Sequence, residues 1–377
     1  MTKLIKPGQT IGFLGGGQLG RMMAISAREM GYRIAVLEPS ADSPCGQIAD
    51  IVIEAAYDDV EGAKKLIEAS DVVTYEFENV NLDVARLIEE QGYLPQGSLL
   101  LYVTQHRAHE KEKITSIGLP VAPYALIYEE SDVEKAAEKV GFPSVLKTCR
   151  GGYDGKGQEV VKNKEELQQA FQQLSKQGEL VLEGWIAFQK EISVIVTRGV
   201  SGETSTFPVA ENLHQENILH QTIVPARVSK SVEAKATEMA LALANGLNLV
   251  GTLAVEMFVT ENDEIYINEL APRPHNSGHY TIEACETSQF QQHIRAICGW
   301  PLGSTSLYKP AVMGNLLGEH IPAIYDEIKN FSDVKLHLYG KEEAKPKRKM
   351  GHLTVMSEDL ETAIDKVSRL QKQLVLE

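Results

Sequence analysis

The sequence predicts a mixed α/β and α+β chain of three domains, and three observations favour this fold class. Across residues 1–105, short apolar runs alternate with stretches whose apolar residues recur at helical spacing. A polar helix signal near Gln105 ends that alternation, and longer alternating strands follow it. Short strands and a closing helix occupy the segment from Ser304 onward. We therefore predict an N-terminal doubly wound parallel-sheet domain (1–105), a central domain (106–303) and a small C-terminal domain (304–377).

Composition and charge exclude several classes of protein. The 377 residues are 43% hydrophobic, which suffices for more than one core, and their formal net charge is −15. That charge argues against a nucleic acid as the main partner, because a phosphate backbone needs a basic surface. The four cysteines lie far apart without a C-x-x-C pair, which indicates neither a zinc site nor a disulfide framework. Since signal-peptide features and membrane-length apolar runs are absent, we expect a cytoplasmic protein that does not bind membranes.

Four strand signals define the N-terminal domain. They are the apolar runs "TIGFLGG", "RIAVLEP", "ADIVIEA" and "SDVVTYEFE", which start at Thr10, Arg33, Ala49 and Ser70. Helical periodicity fills the intervals, for example in "QLGRMMAISAREMGY" and "DVEGAKKLIEAS". Strands that are separated by helices in this way predict a parallel sheet.

A glycine motif follows the first of these strands. Gly15, Gly17 and Gly20 match G-x-G-x-x-G between a strand and a helix, and Glu38 closes the second strand. This context is typical of dinucleotide binding at a helix N-terminus, and it raises the hypothesis of an NAD-linked oxidoreductase. The same glycines also permit close packing of a helix on a strand, so that structural alternative stays open.

The central domain begins with a charged helix, "QHRAHEKEKITSIGLP", and continues as a compact α+β unit over about 121–182. This unit contains a glycine-rich hairpin: Lys147 ends an apolar strand, "GGYDGKGQ" occupies 151–158, and a second strand follows Gln158. Glycine N–H groups in such a loop can surround phosphate oxygens, and Lys147 can add a positive charge. A loop without bulky anchors can also open and close. The alternative is a flexible exposed hairpin.

A second hairpin contains a pair of carboxylates. If Asn262–Asp263 form a two-residue turn, Glu256 faces Glu269 and Met257 faces Asn268 across the strands. Two ionised carboxylates on one face repel each other, and a divalent cation would remove that conflict. Hard oxygen donors of this kind fit Mg²⁺ that is shared with nucleotide phosphates. The alternative is that one or both glutamates face water.

Polar side chains crowd the irregular turn after this hairpin. Arg273, His275, Asn276, Ser277 and His279 fall among prolines and a glycine that fix the backbone. The guanidinium fork of arginine suits a carboxylate or bicarbonate-like anion, and histidine can move a proton near neutral pH. We interpret the turn as part of a reaction site; the alternative is a solvated loop.

Motifs spread over nearly the whole chain resemble those of one family. The glycine loop with Lys147, "VLEGWI" around Glu183, and Glu256 with the "NE" at 268–269 are similar to the ATP-grasp fold. In that fold, two α+β subdomains hold ATP and a glycine loop closes over its phosphates. The further motifs "GGGQLGRM", "YEFENV", "NELAPRPHNSGHYTIEAC" and "YGKEEAKPKRKMGHLTV" resemble the 5-(carboxyamino)imidazole ribonucleotide synthetase family. The N-terminal domain would then be a pre-ATP-grasp domain.

The resemblance implies an activity and its ligands. ATP, with Mg²⁺ or Mn²⁺, would convert bicarbonate to carboxyphosphate. The exocyclic amine of 5-aminoimidazole ribonucleotide would capture the carboxyl group, or the CO₂ released from it. The products would be 5-(carboxyamino)imidazole ribonucleotide, ADP and phosphate, in de novo purine biosynthesis. The glycine loop would exclude water from carboxyphosphate, and the family suggests a homodimer.

The resemblance also implies which residues hold ATP and the metal ion. The ATP-binding residues would be Arg107, Lys147, Gly152, Tyr153, Asp154, Gly155, Lys156, Gly157, Gln158, Glu183, Gly184, Trp185, Ile186, Glu191, His214, Asn268 and Glu269. Among them, Glu183 and Glu191 would accept hydrogen bonds from the adenine amine and the ribose hydroxyls. Glu256 and Glu269 would ligate the metal ion.

The remaining implied roles concern the chemistry and the acceptor. The catalytic residues would be Lys147, Tyr153, Asp154, Arg273, His275 and Asn276. The substrate-binding residues would be Glu76, Glu78, Tyr153, Arg273, His275, Asn276, Ser277, Lys341 and Arg348. Either Glu76 or Glu78 would accept a hydrogen bond from the imidazole amine. Lys341 and Arg348 would hold the 5′-phosphate, although their basic run also fits a solvated surface stretch.

Three rival functions stay open at this point. A sister ATP-grasp ligase, such as formate-dependent glycinamide ribonucleotide transformylase or biotin carboxylase, would share the ATP residues and differ at the acceptor. A nucleotide sensor would bind ATP without turnover, and an oxidoreductase would bind NAD at Gly15–Gly20. Under the resemblance, Gly15–Gly20 instead shapes the ribonucleotide domain, with its helix N-terminus helping to bind phosphate. Cys149 departs from the pattern, because a more polar or basic residue is expected there.

Overall fold

The computed structural model describes residues 3–152 and 155–374. Tyr153 and Asp154, both predicted site residues, therefore lie outside the described residues. Within the described ranges, no helix is both long enough and apolar enough to cross a membrane.

The N-terminal part confirms the predicted doubly wound parallel sheet. Its strands and helices are β1 (Thr10–Leu14), α1 (Gln18–Glu29), β2 (Arg33–Glu38), β3 (Ile51–Glu54), α2 (Val60–Ala69), β4 (Val72–Tyr75) and α3 (Leu82–Gln91). The strands are parallel in the order β3-β2-β1-β4. Alternation along β1 places Ile11 and Phe13 in the core with α1, and Leu14 in the core with α2 and α3. Apolar helix faces therefore cover both sides of the sheet.

A linker and a small antiparallel sheet follow. Their elements are α4 (Leu99–Thr104), α5 (Arg107–Ser116), β5 (Tyr124–Ile127), α6 (Asp132–Val140), β6 (Ser144–Thr148), β7 (Gln158–Val161), α7 (Lys164–Leu174) and β8 (Leu180–Gly184). The strand order is β5-β8-β6-β7, so the glycine loop connects the neighbouring strands β6 and β7 as predicted. Helices α6 and α7 pack against the sheet around Leu146 and Leu182.

A nine-stranded sheet forms the rest of the fold. Its elements are β9 (Phe188–Arg198), β10 (Thr204–Thr206), β11 (Ala210–Gln215), β12 (Ile218–Val224), α8 (Lys230–Gly246), β13 (Gly251–Thr260), β14 (Ile265–Ala271), α9 (Thr281–Ala284), α10 (Gln289–Ile297), β15 (Ala311–Leu317), α11 (Ile321–Glu327), β16 (Lys335–Leu338), β17 (Lys349–Met356) and α12 (Leu360–Leu374). The strand order is β14-β13-β9-β11-β12-β15-β17-β16, with β10 paired to β9. The C-terminal strands thus extend the central sheet. The sequence does not predict this continuity, and the boundaries at 105/106 and 303/304 stay predictions.

Helix α10 attaches the N-terminal domain to the large sheet. Phe290 and Ile294 on its apolar face share a core with Met23 of α1. The buried His293 places its Nε2 2.9 Å from Oγ1 of Thr74 on β4. Together these contacts fix the carboxyl end of β4, and the segment that follows it, beside the large sheet.

Candidate active site

One cleft of about 590 Å³ brings most of the predicted site residues together. It lies between the small sheet with its glycine hairpin, strands β13 and β14, and the segment that follows β4. The predicted residues that line it are Glu78, Arg107, Lys147, Gly152, Gly155, Lys156, Gln158, Glu183, Gly184, Trp185, Ile186, Glu191, His214, Glu256, Asn268, Glu269, Arg273, His275 and Asn276. The predicted residues that do not line it are Glu76, Gly157, Ser277, Lys341 and Arg348.

The carboxylate pair faces this cleft from neighbouring strands. Glu256 of β13 pairs with Glu269 of β14, as predicted, but the predicted pairing of Met257 with Asn268 is wrong. The strands are joined by a three-residue loop, with Asp263 in the left-handed region at φ 59°, and Met257 therefore faces Ile267. A β-bulge at position 268 then shifts the register by one residue. The two departures cancel, so the carboxylates meet.

The bulge also explains how adjacent residues reach one site. Consecutive side chains of a regular strand point to opposite faces, yet Asn268 and Glu269 both line the cleft. A bulge re-aims side chains in this way. The result is a group of two carboxylates and one amide on the same side of the sheet.

The two carboxylates of this pair lie close together, and the charge of Glu269 affects the ionisation of Glu256. Burial, followed by the neighbouring Glu269 carboxylate, raises the pKa of Glu256 to about 7. Nε2 of His275 lies 3.4 Å from Oε1 of Glu256, but burial lowers the pKa of His275 well below 6.5 and leaves it neutral. NH1 of Arg107 lies 3.6 Å from Oε2 of Glu269. Hard oxygen donors in an acidic pair fit a divalent cation such as Mg²⁺.

The glycine hairpin closes one side of the cleft. Gly157 has φ 70°, and a Cβ there would lie 2.7 Å from Oγ1 of Thr148. Gly155 has φ 81°, and a Cβ there would lie 2.5 Å from the side chain of Asn217 in the β11–β12 turn. Gly155 therefore approaches the β11–β12 turn, and Gly157 approaches the end of β6, more closely than a residue with a Cβ could.

Glu183 lies between two lysines beneath the hairpin. Its carboxylate is buried, with Oε2 3.0 Å from Nζ of Lys147 and Oε1 3.1 Å from Nζ of Lys111. Although burial raises the pKa of Glu183, Lys147 and then Lys111 outweigh it and hold the pKa at about 2. The carboxylate thus fixes Lys147 in the cleft. Its predicted contact with the adenine amine stays a prediction.

Lys111 is a residue that the sequence analysis missed. It is 1% exposed, whereas lysine is rarely buried without a partner. A signal was present, because Lys111 shares the buried side of α5 with Ala108 and Ile114 at helical spacing. A lysine at such a position requires a buried carboxylate, which Glu183 supplies.

An apolar wall of the cleft was also missed. It is formed by Ala122, Val145, Val160, Phe188, Leu219 and Phe258. The rings of Phe188 and Phe258 stack with their centroids 4.5 Å apart. The apolar character of these residues is evident from the sequence, but only the tertiary packing decides which apolar side chains border a cleft.

The polar turn after β14 lines the cleft beside the carboxylate pair. Nδ1 of His275 lies 2.9 Å from Oγ of Ser277, which in turn accepts a hydrogen bond from Ser193 at 2.9 Å. Ser277 is fully buried, so it orients His275 and does not reach the cleft itself. Both amide atoms of Asn276 are buried without a hydrogen-bond partner in the described part of the protein. A bound ligand could satisfy them.

The N-terminal glycine motif holds one of the chain's own carboxylates. The N–H groups of Gly17 and Gly20 donate to the Glu76 side chain, and a Cβ on Gly17 would lie 2.6 Å from Oε1 of Glu76. Glu38 accepts from the N–H of Gly16 at 2.7 Å. These carboxylates occupy the start of α1, where a dinucleotide phosphate would bind. The geometry argues against the oxidoreductase hypothesis and explains why glycine is needed here.

Lys341 and Arg348 lie between β16 and β17, outside the cleft lining. Nζ of Lys341 donates to the carbonyl of Lys349, a cleft residue, at 2.8 Å. Burial, followed by the charge of Arg348, lowers the pKa of Lys341 to about 8. The carbonyl of Gly340 accepts a hydrogen bond from Gln47 at 2.9 Å. This segment is therefore tied to the N-terminal domain beside the cleft.

Cys149 packs beneath the glycine hairpin. It is buried against Ala108 and Val181, and burial raises the pKa of its thiol to about 11. Where a more polar or basic residue was expected, Cys149 therefore places a packed, un-ionised thiol.

Models of three protein families match successive parts of the chain. The ribonucleotide synthetase preATP-grasp domain matches residues 8–105, and the ATP-grasp domain matches residues 112–290. The phosphoribosylaminoimidazole carboxylase C-terminal domain matches residues 311–366.

Individual relatives match nearly the whole chain. The N5-carboxyaminoimidazole ribonucleotide synthase of Bacillus subtilis (strain 168) is 53% identical over 366 residues, which cover 97% of this chain and 96% of the relative. Among solved structures, an ADP complex of N5-carboxyaminoimidazole ribonucleotide synthetase has a TM-score of 0.95 at 56% identity and covers 98% of both chains. The Aspergillus clavatus synthase with ADP and 5-aminoimidazole ribonucleotide has a TM-score of 0.90 at 31% identity, covering 97% of this chain and 98% of its own. These findings confirm the fold and the family that the motifs predict. The chain belongs to the N5-carboxyaminoimidazole ribonucleotide synthase family of ATP-grasp ligases.

Proposed function

We propose that this protein is an ATP-dependent carbon–nitrogen ligase of de novo purine biosynthesis. It carboxylates the exocyclic amine of 5-aminoimidazole ribonucleotide with bicarbonate, and it releases ADP and phosphate. The observation that carries the proposal is the single cleft in which the carboxylate pair, Lys147 and the Arg273–Asn276 turn converge. Relatives that are named for this activity support the choice of acceptor.

ATP binds between the glycine hairpin and the large sheet. The apolar wall receives the adenine ring, and Lys147 contacts the phosphates with its ammonium group held by Glu183. Glu256 and Glu269 hold Mg²⁺, with Asn268 beside them. The cation, when bound, neutralises negative charge on the transferring phosphoryl group.

The polar turn receives bicarbonate and then carboxyphosphate. A bicarbonate oxygen attacks the γ-phosphorus, the bond to the bridging oxygen breaks, and ADP leaves. Arg273 holds the anion through its guanidinium fork, and Asn276 supplies an amide whose hydrogen bonds are otherwise unmet. The amine nitrogen then bonds to the carboxyl carbon of carboxyphosphate or of the CO₂ that it releases. Phosphate leaves and takes the proton from the amine. Burial and the neighbouring Arg273 keep His275 neutral, and its catalytic role stays a prediction.

The acceptor lies between this turn and the N-terminal domain. Because the Glu76 carboxylate already caps α1, we assign the hydrogen bond from the imidazole amine to Glu78. Lys341 and Arg348 bind the 5′-phosphate. Tyr153 and Asp154 keep their predicted roles. A homodimer, a cytoplasmic location and Mn²⁺ in place of Mg²⁺ also stay predictions.

Phosphate release from ATP tests the proposal. The purified protein is assayed with Mg²⁺ and bicarbonate, with and without 5-aminoimidazole ribonucleotide, and strong stimulation by the ribonucleotide is expected. Stimulation by glycinamide ribonucleotide with formate would contradict the assigned acceptor but support the assigned ATP site. An absence of ATP turnover with every acceptor would favour a nucleotide sensor.

A further inference from the structure

We propose that Glu110 is a positioning residue for the candidate metal site. It holds the bulged part of β14 through the N–H of Leu270 and thereby sets the position of Glu269. This inference rests on the proposed function of Glu256 and Glu269 as metal ligands. Glu110 itself lies on α5 and does not line the main cleft.

The argument begins with the place of β14 in the sheet. It is the outermost strand of the nine-stranded sheet. Among the described residues, only β13 pairs with it as a strand, and its other edge makes a single isolated bridge, between Ile267 and Val121. Backbone groups on such an edge need other partners. Two partners come from α5 and the segment between α5 and β5. The N–H of Ile267 donates to the carbonyl of Pro120 at 2.9 Å, and the N–H of Leu270 donates to Oε1 of Glu110 at 2.8 Å.

These two hydrogen bonds enclose the bulge. In a regular strand the outward N–H groups recur every second residue, which would place them at 267 and 269. They fall instead at 267 and 270, because position 268 is the extra residue of the bulge. Glu110 therefore bonds to the strand only in its shifted register. That register is the one in which Glu269 faces Glu256 and shares the cleft with Asn268.

The hydrogen bond between Glu110 and Leu270 lies in the protein interior, where a carboxyl group is costly to place. Glu110 is 2% exposed, and a carboxylate at such a site must be offset by hydrogen bonds and positive charge. Arg107 precedes it by one helical turn on α5 and also lies 3.6 Å from Glu269. A second explanation is therefore that Glu110 serves only as a counter-charge for Arg107. The first explanation depends on the length of the side chain, which decides whether it reaches the N–H of Leu270. The second explanation depends on the negative charge of that side chain.

A pair of conservative variants separates reach from charge. Glu110→Gln keeps an acceptor oxygen at the same distance along the side chain and removes the ionisable carboxyl group. Glu110→Asp keeps the carboxyl group on a side chain that is one methylene shorter. The readout is the affinity of the ADP-bound protein for Mn²⁺, followed by electron paramagnetic resonance, which does not depend on turnover. Thermal melting confirms folding, and Glu112→Gln and Glu112→Asp, on an exposed position of the same helix, are matched controls.

The proposal predicts a larger loss of Mn²⁺ affinity in Glu110→Asp than in Glu110→Gln. Glu110→Asp leaves the Leu270 N–H unpaired, so Mn²⁺ affinity should fall about tenfold. Glu110→Gln should stay within about threefold of the unmodified protein, because its amide oxygen still bonds to Leu270. The reverse order, or equal losses, would overturn the positioning role. Wild-type protein that binds no Mn²⁺ would overturn the metal site itself, whereas a wrong acceptor would leave this titration unaffected.

Discussion

Arg273 donates a hydrogen bond from Nε to Oε2 of Glu78 at 2.5 Å, which joins the polar turn of the large sheet to the N-terminal domain. Both side chains line the cleft. Burial raises the pKa of Glu78, but the neighbouring Arg273 outweighs it and holds that pKa below its ordinary value. Arg273, which we assign to the carboxyphosphate anion, is thus paired with Glu78, which we assign to the imidazole amine.

Replacing Glu78 should affect the acceptor more than ATP chemistry. Glu78→Gln removes the charge that the imidazole amine would meet, while Arg273 remains available to the anion. A hydrogen bond to a charged group contributes about 1.5–3 kcal/mol, so kcat/KM for the ribonucleotide should fall about 10- to 150-fold. Bicarbonate-dependent ATP hydrolysis without the ribonucleotide should fall less. Equal losses in both assays would contradict the assignment. Asp83→Asn, at an exposed position of α3, is a control.

Glu269→Gln should abolish turnover and leave the fold intact. The amide has nearly the shape of the carboxylate but is a weaker ligand, and lost charge stabilisation of several kcal/mol predicts at least about a hundredfold fall in kcat. The melting temperature should change little, because the substitution relieves repulsion from Glu256 and weakens the contact with Arg107. Glu264→Gln, at an exposed site of the same hairpin, is the matched control. Full activity of the Glu269 variant would remove the metal assignment.

Lys341→Ala should weaken binding of the ribonucleotide selectively. A charge-assisted hydrogen bond to phosphate contributes about 1.5–3 kcal/mol, so KM for the ribonucleotide should rise about 10- to 150-fold. KM for ATP should change less than about twofold, since Lys341 does not line the cleft. Lys345→Ala, exposed in the same segment, provides the control. If both KM values rose equally, Lys341 would not belong to the phosphate site.

The same lysine predicts a pH dependence. Because burial lowers the pKa of Lys341 to about 8, its ammonium form predominates below that pH and is lost as the pH rises above it. Only the ammonium form attracts phosphate, so kcat/KM for the ribonucleotide should fall about tenfold for each pH unit above about 8, until it reaches the value of the Lys341→Ala variant. Lys341→Arg stays charged throughout and should flatten this limb of the profile. An unchanged profile in the arginine variant would assign the titration to another group.

Local patterns predicted the elements of the site better than its connections. The strands that carry Glu256 and Glu269 follow from alternation, and their pairing was predicted correctly. The predicted turn was wrong by one residue, however, and a bulge at Asn268 compensated for it. A bulge is stabilised by tertiary partners such as Pro120 and Glu110, which sequence spacing does not reveal.

Long-range contacts account for what the sequence did not predict. The pairing of β12 with β15 joins residues that are about ninety positions apart, and no local signal encodes it. Likewise, the glycines near the start of α1 match a dinucleotide motif, but the carboxylate that approaches them comes from Glu76, beyond β4. Such motifs report a close approach to the backbone without identifying the group that approaches.

The most direct test of the account is whether a bond forms between the acceptor amine and the carbon of bicarbonate. The protein is incubated with ATP, Mg²⁺, ¹³C-bicarbonate and 5-aminoimidazole ribonucleotide labelled with ¹⁵N at its exocyclic amine, and the mixture is followed by NMR. The account predicts a carboxyl ¹³C signal split by one-bond coupling to ¹⁵N, formed together with ADP. Consumption of ATP without that coupled signal would contradict it.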